Sequence, residues 1–145
     1  MRKMRPSTSV AGAIPAGYSG TPLPKKLGTK PGSVLRLIGA PGGFLETLGE
    51  LPEGVRVRKD ARGHANLTLW FLPSQKELDR GIREMAARLE GSLWMIWPKK
   101  TSGMVTDLTG QEVREAGLAA GLVDYKVCAV DAIWSGLLFT RRKGK

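Results

Sequence analysis

A chain of 145 residues with 41% apolar and 25% charged residues has the length and balance of one globular domain with its own core. Its single cysteine, Cys128, excludes an internal disulfide and points to a reducing, cytoplasmic setting, and no apolar run reaches the ~18–20 residues that a bilayer span needs. The formal net charge of +10 suggests nucleic acid, yet it is concentrated at the two ends: residues 1–33 hold six Lys/Arg and no acid, residues 141–145 hold four, and 34–140 pair 13 basic residues with all 13 acidic ones.

Residues 1–22 are rich in Pro, Gly, Ser and Thr, too poor in large apolar groups to offset ordering entropy, and read as a flexible basic arm. One domain is expected over 23–141, with a basic tail at 142–145. Lys30-Pro31-Gly32 is a turn into an apolar first strand, Val34 to Ile38. Gly39 to Gly43 turns the chain into a short helix, Phe44 to Leu48. Val55 to Arg58 alternates like a strand with one solvated face. A polar loop, Asp60 to Asn66, leads to a third strand, Leu67 to Leu72.

Ser74-Gln75-Lys76-Glu77 has the form of a capping box, and Leu78, Ile82, Met85, Ala86 and Leu89 follow at helical spacing up to a stop at Gly91. Ser92 to Trp97 is a fourth strand ended by Pro98. A second capping box, Thr109 to Glu112, opens a helix through Val113, Ala116 and Ala120, closed by Gly121. Asp124 to Asp131 is a fifth strand, and Trp134-Ser135-Gly136 is a tight connection to a sixth, Leu137 to Arg141. Strand–helix alternation implies a three-layer α/β fold with a mainly parallel sheet. The last two strands are too close for a crossover, so the sixth runs antiparallel beside the fifth.

Leu27 to Leu35 resembles the approach to the first strand of class I methyltransferases, where a short helix and a Lys-Pro-Gly-type turn precede a glycine-rich loop. Gly39-Ala40-Pro41-Gly42-Gly43-Phe44 is similar, one residue shorter, to the loop of RNA ribose methyltransferases. From Gly17 onward the chain also resembles a small bacterial family catalogued as a domain of unknown function, through Gly17 to Leu23, Trp97 to Lys100, Thr106 to Thr109, and Val127 to Asp131 followed by Trp134 to Leu137. The methyltransferase resemblance implies a Rossmann-like sheet with a trimmed methyltransferase strand order, and makes S-adenosylmethionine the cofactor to consider. It also exposes departures. Leu37 stands where an acid is expected, Phe71-Leu72-Pro73 lacks a polar catalytic residue, and one strand is missing. Asp60 alone sits about where an acid would grip ribose hydroxyls.

In an open parallel sheet, ligands sit beyond the carboxyl ends of the strands. The residues expected there are Gly39, Gly42 and Gly43, whose bare backbone could approach a ligand or simply make a tight turn; Asp60; Lys99 and Lys100, as anion holders or solvated lysines; and Asp131, Trp134 and Ser135, as a pocket wall or a stabilised turn. Asp107 reads as the cap of the helix that follows it, Thr101 to Gly103 as a flexible link, His64 as a surface histidine, and no metal-ligand spacing is visible. The expected function is that of a methyltransferase-like domain that has lost catalysis and binds a small ligand or a protein partner at this edge. The competing readings are a minimal methyltransferase, and a nucleic-acid accessory protein acting through its basic ends, where binding would be weak and salt-sensitive.

Overall fold

The structure is a computed structural model that describes residues 22–60 and 63–142. Most of the basic arm, including the Gly17–Thr21 segment, and residues 143–145 of the tail lie outside the described residues. The elements are α1 (Leu23–Leu27), β1 (Val34–Ile38), α2 (Phe44–Leu48), β2 (Arg56–Arg58), β3 (Leu67–Phe71), α3 (Gln75–Arg88), β4 (Ser92–Pro98), a single 3-10 turn (Lys100–Ser102), α4 (Gly110–Ala119), β5 (Leu122–Ala129) and β6 (Trp134–Arg141). They form the expected six-stranded, mostly parallel sheet, in the order β2-β1-β3-β4-β6-β5. β6 lies between β4 and β5 and is antiparallel to both.

Alternation along the strands feeds two apolar layers. One face of the sheet sends Leu35, Leu37, Leu69, Trp94 and Ile96 against α1 and α2, which contribute Leu23, Leu27, Phe44 and Leu48. The other sends Trp70, Met95, Leu137 and Phe139 against α3 and α4, which contribute Leu78, Ala86 and Val113. A buried hydrogen bond from the Trp94 indole to the Leu27 carbonyl, 2.8 Å long, ties α1 to the sheet centre. Among the described residues no helix is long and apolar enough to cross a membrane.

Several local expectations are corrected. Trp134-Ser135-Gly136 is not a connection but the first part of β6, held from both sides because Ser135 pairs with Trp97 in β4 and with Ala129 in β5. α3 stops at Arg88 with Leu89 already extended, so Gly91 does not end it. Gly91 is required for another reason: a Cβ there would lie 2.0 Å from the Asn66 carbonyl oxygen. At α3 the Ser74 hydroxyl accepts from the Glu77 amide, but Glu77 pairs with Arg80 (3.7 Å). The capping box of α4 is complete, with Glu112 Oε1 taking both the Thr109 amide and hydroxyl at 2.8 Å. Asp107 caps α3 rather than α4: its Oδ1 accepts from the Gln75 amide at 2.8 Å.

Candidate functional site

β1 to β5 all run the same way and end on one rim, and β6, running the other way, begins there. The rim therefore carries the loop after β1, Lys59-Asp60 after β2, Pro73-Ser74 after β3, Lys99 onward after β4, and the β5–β6 turn. Beneath it an aromatic ladder runs from Phe44 to Phe71 (ring centres 4.8 Å apart, 71° between planes) and on to Trp134 (5.2 Å, 88°). Edge-to-face contacts of this kind add to simple burial. The ladder joins the glycine loop to the start of β6 across the middle of the rim.

The loop itself is a cradle. Gly39 (φ +72°) and Gly43 (φ +84°) take left-handed conformations, and a Cβ on Gly39 would come 3.1 Å from the Phe71 carbonyl oxygen. Only glycine suits both demands. Gly42 has open space around it. The Phe44 amide closes the turn onto Pro41, whereas the Gly42 and Gly43 amides have no hydrogen-bond partner among the described residues. A cleft of about 450 Å³ opens here, lined by Leu37, Gly39, Gly42, Gly43, Glu46 and Lys59 among others.

Lys59 is the residue that sequence reasoning missed; its neighbour Asp60 drew attention instead. Asp60 is exposed, with its carboxylate 3.6 Å from Arg58 Nε, and the cleft lining does not include it. The signal for Lys59 was only its position at the end of β2.

The second group lies farther along the rim, outside this cleft. Lys99 is fixed at a strand end: its amide donates to Ile133 (2.7 Å), and its carbonyl accepts the Ser102 amide and hydroxyl. Lys100 is exposed and begins the 3-10 turn, so the link read as flexible is a hydrogen-bonded turn ended by left-handed Gly103. Asp131 stabilises the β5–β6 turn, its Oδ1 accepting from the Ile133 and Trp134 amides at 2.8 Å each. Trp134 is buried at the end of the aromatic ladder. The structure thus brings Gly39, Gly42 and Gly43 together with Lys59, and assigns Asp131 and Trp134 structural contacts of their own.

Burial pushes the Cys128 thiol above its ordinary range, partly opposed by the nearby cations of Lys26, Lys126 and Lys99. His64 is exposed, with Nδ1 2.8 Å from Glu90 Oε1. Among the described residues no three His, Cys, Asp or Glu side chains cluster as a metal site would require.

Among solved structures, the chain is similar to a protein from Sulfolobus solfataricus assigned to the type 11 methyltransferases (TM-score 0.56, 13% identity, 85% of this chain and 91% of that one). It is also similar to the ribosomal protein L11 methylase of Lactobacillus delbrueckii subsp. bulgaricus (TM-score 0.53, 14% identity, 83% and 75%). A third is an O-methyltransferase family 2 protein of Planctomyces limnophilus, solved with apigenin (TM-score 0.55, 13% identity), of which the chain covers 54%. At these identities the likeness shows the fold: a Rossmann-like, methyltransferase-like domain. No protein-family model and no curated relative matches the chain, so the resemblance to an uncharacterised bacterial family gains no support from either comparison.

An S-adenosyl group is what such a fold raises, and the residues fit only part of one. The free Gly42 and Gly43 amides and the open space at Gly42 suit close approach of a polar ligand. Leu37 offers no carboxylate, and Phe71, at the end of β3, offers a buried ring in place of a polar group. The donors present in the cleft suit a polar portion of such a ligand.

Proposed function

We propose that this chain is a non-catalytic, methyltransferase-like binding module that holds a small ligand in the Gly39–Gly43 cradle. The observation that carries the reading is the Phe44–Phe71–Trp134 ladder, which fills the middle of the rim with apolar rings where a transferase would need a polar residue facing its acceptor. The ligand would meet the Gly42 and Gly43 amides, the Lys59 ammonium and the Glu46 carboxylate, which also lines the cleft beside Gly43, an arrangement favouring a polar portion that both donates and accepts. S-adenosylmethionine and S-adenosylhomocysteine are the first probes because of the fold.

Isothermal titration of the full chain with both probes tests this, alongside methyl-transfer assays on bulk RNA, DNA and protein. Binding that Gly42→Val weakens at least tenfold, with no methyl transfer, is the expected result. Gly42 has a φ that side chains tolerate and empty space around it, so Val should fill the cleft without unfolding the domain. Methyl transfer would establish the enzyme instead, and the absence of any binding would remove the cradle as a site for this ligand class.

A further inference from the structure

A parallel crossover ordinarily lays a helix over the sheet. The connection from β2 to β3 crosses β1 with no helix among its described residues, so one face of β1 and β3 is left to α3 alone. A cleft of about 250 Å³ lies there, on the face opposite α1 and α2, lined by Ile38, Thr68, Trp70, Met85 and Leu89 among others. Its apolar wall is purpose-shaped at one point. Gly81 of α3 has no side chain, and a Cβ in that place would stand 2.8 Å from Trp70 Cζ2. The bare turn of helix lets the indole lie close against α3 while the ring still borders the cleft.

Thr68 provides the second observation. It is the polar member of a strand in which every residue is buried, only 3% of its surface is exposed, and it lines the cleft. Its hydroxyl makes no hydrogen bond among the described residues, and the oxygen is open to solvent through the cleft rather than sealed in the core. A hydroxyl open to an otherwise apolar cleft gives an entering molecule one polar point to pair with, in exchange for water. The charges around the cleft cancel: Arg36 and Arg88 against Glu84 and Glu90, with Arg88 bonded to Glu84 at 3.1 Å and Arg36 donating to the Gly63 carbonyl at 2.6 Å.

We infer that this cleft is a second binding site, independent of the cradle, for a neutral, flat, apolar molecule of about two fused rings carrying one hydrogen-bonding group for Thr68. The size follows from volume, since a cavity of ~150 Å³ takes one benzene ring. The flatness follows from the indole wall, and the neutrality from the balanced mouth.

The test uses 2-naphthol, naphthalene and 2-naphthoate as probes of the full chain, read by titration calorimetry and by amide and indole NMR shifts. 2-Naphthol should bind and shift the Trp70 indole N–H, more tightly than the charged 2-naphthoate. Thr68→Val, which keeps the shape and removes the hydroxyl, should weaken 2-naphthol at least threefold and leave naphthalene unchanged. Met85→Trp should fill the cleft and abolish both. Gly42→Val should leave 2-naphthol binding intact, which separates failure here from failure of the cradle. The inference is overturned if 2-naphthol does not bind, if 2-naphthoate binds as well as 2-naphthol, if the shifts centre on Gly39 to Lys59, or if Thr68→Val affects naphthalene and 2-naphthol alike.

Discussion

Two effects of opposite sign meet at Gly117. It sits inside α4, where replacing glycine by alanine ordinarily stabilises a helix by about 1 kcal/mol. In this fold a Cβ at Gly117 would fall 2.3 Å from Phe139 Cε2, with two further ring carbons at 2.7 and 2.8 Å. Ordinary carbon–carbon contact begins near ~3.5 Å, so the shortfall is roughly 1.2 Å. Phe139 is 0% exposed, in a strand paired on both sides, and its ring has nowhere to turn. The helix must instead back away from the sheet, and a gap of ~0.5–1 Å already forfeits a quarter to a half of each dispersion contact along it. Overpacking of this kind costs about 1–3 kcal/mol, and the fixed ring places Gly117→Ala at the upper end. Subtracting the propensity gain leaves a net loss of about 2 kcal/mol, a substantial part of the ~5–15 kcal/mol that holds a typical domain together. Urea unfolding followed by circular dichroism should show a midpoint lowered by about 1 M for a slope near ~2 kcal/mol/M. Glu115→Gly compared with Glu115→Ala, at an exposed position in the middle of the same helix, calibrates the propensity effect and should differ by about 1 kcal/mol. An unchanged or raised midpoint for Gly117→Ala would refute the close packing of α4 on β6.

Asp131→Ala removes the acceptor for the Ile133 and Trp134 amides and should cost about 1–2 kcal/mol in urea unfolding. Ligand titration at the cradle should be unaffected; a loss there matching that of Gly42→Val would mean that Asp131 reaches the ligand. At Cys128 the folded state holds its thiol proton more tightly than the unfolded chain, so this stabilisation is complete below the ordinary value of 9.0 and is lost as pH climbs through the raised native value. Two measurements follow: iodoacetamide should alkylate native protein more slowly than urea-unfolded protein at pH 8, and the urea midpoint of the native sequence should fall relative to Cys128→Ala between pH 8 and pH 10. Equal alkylation rates would show the thiol to be fully solvated.

The strands and the two long helices were legible because their apolar residues recur at spacings that few other structures produce, and the C-terminal hairpin because its connection is too short to cross the sheet. Boundaries failed where a neighbour distant in sequence decides them. Trp134 to Gly136 looked like turn residues, yet pairing with β4 makes them strand. Gly91 looked like a helix stop, yet the crowding comes from Asn66, 25 residues earlier. Asp107 looked like the cap of its own helix, yet it serves Gln75. The glycine cradle was readable because its three glycines fall within five residues directly after a strand. The Thr68 cleft was not, because among the described residues the β2–β3 connection has no helix to cover it, and a polar loop at Asp60 to Asn66 does not say which face it leaves open.

That missing cover makes β1 the wall between two unlike environments. Alternate residues of a strand point to opposite faces, so Leu37 lines the cradle cleft while Arg36 and Ile38 line the other. The strand is pinned on both sides, through Val34 to Arg36 against β2 and Leu35 to Ile38 against β3, and the Val34 amide donates to Asn66 Oδ1 at 2.8 Å. A slip of one residue would turn Leu37 toward the Thr68 side and place Ile38 under the glycines. The polar character of one cleft and the apolar character of the other are therefore a single consequence of the register of this strand.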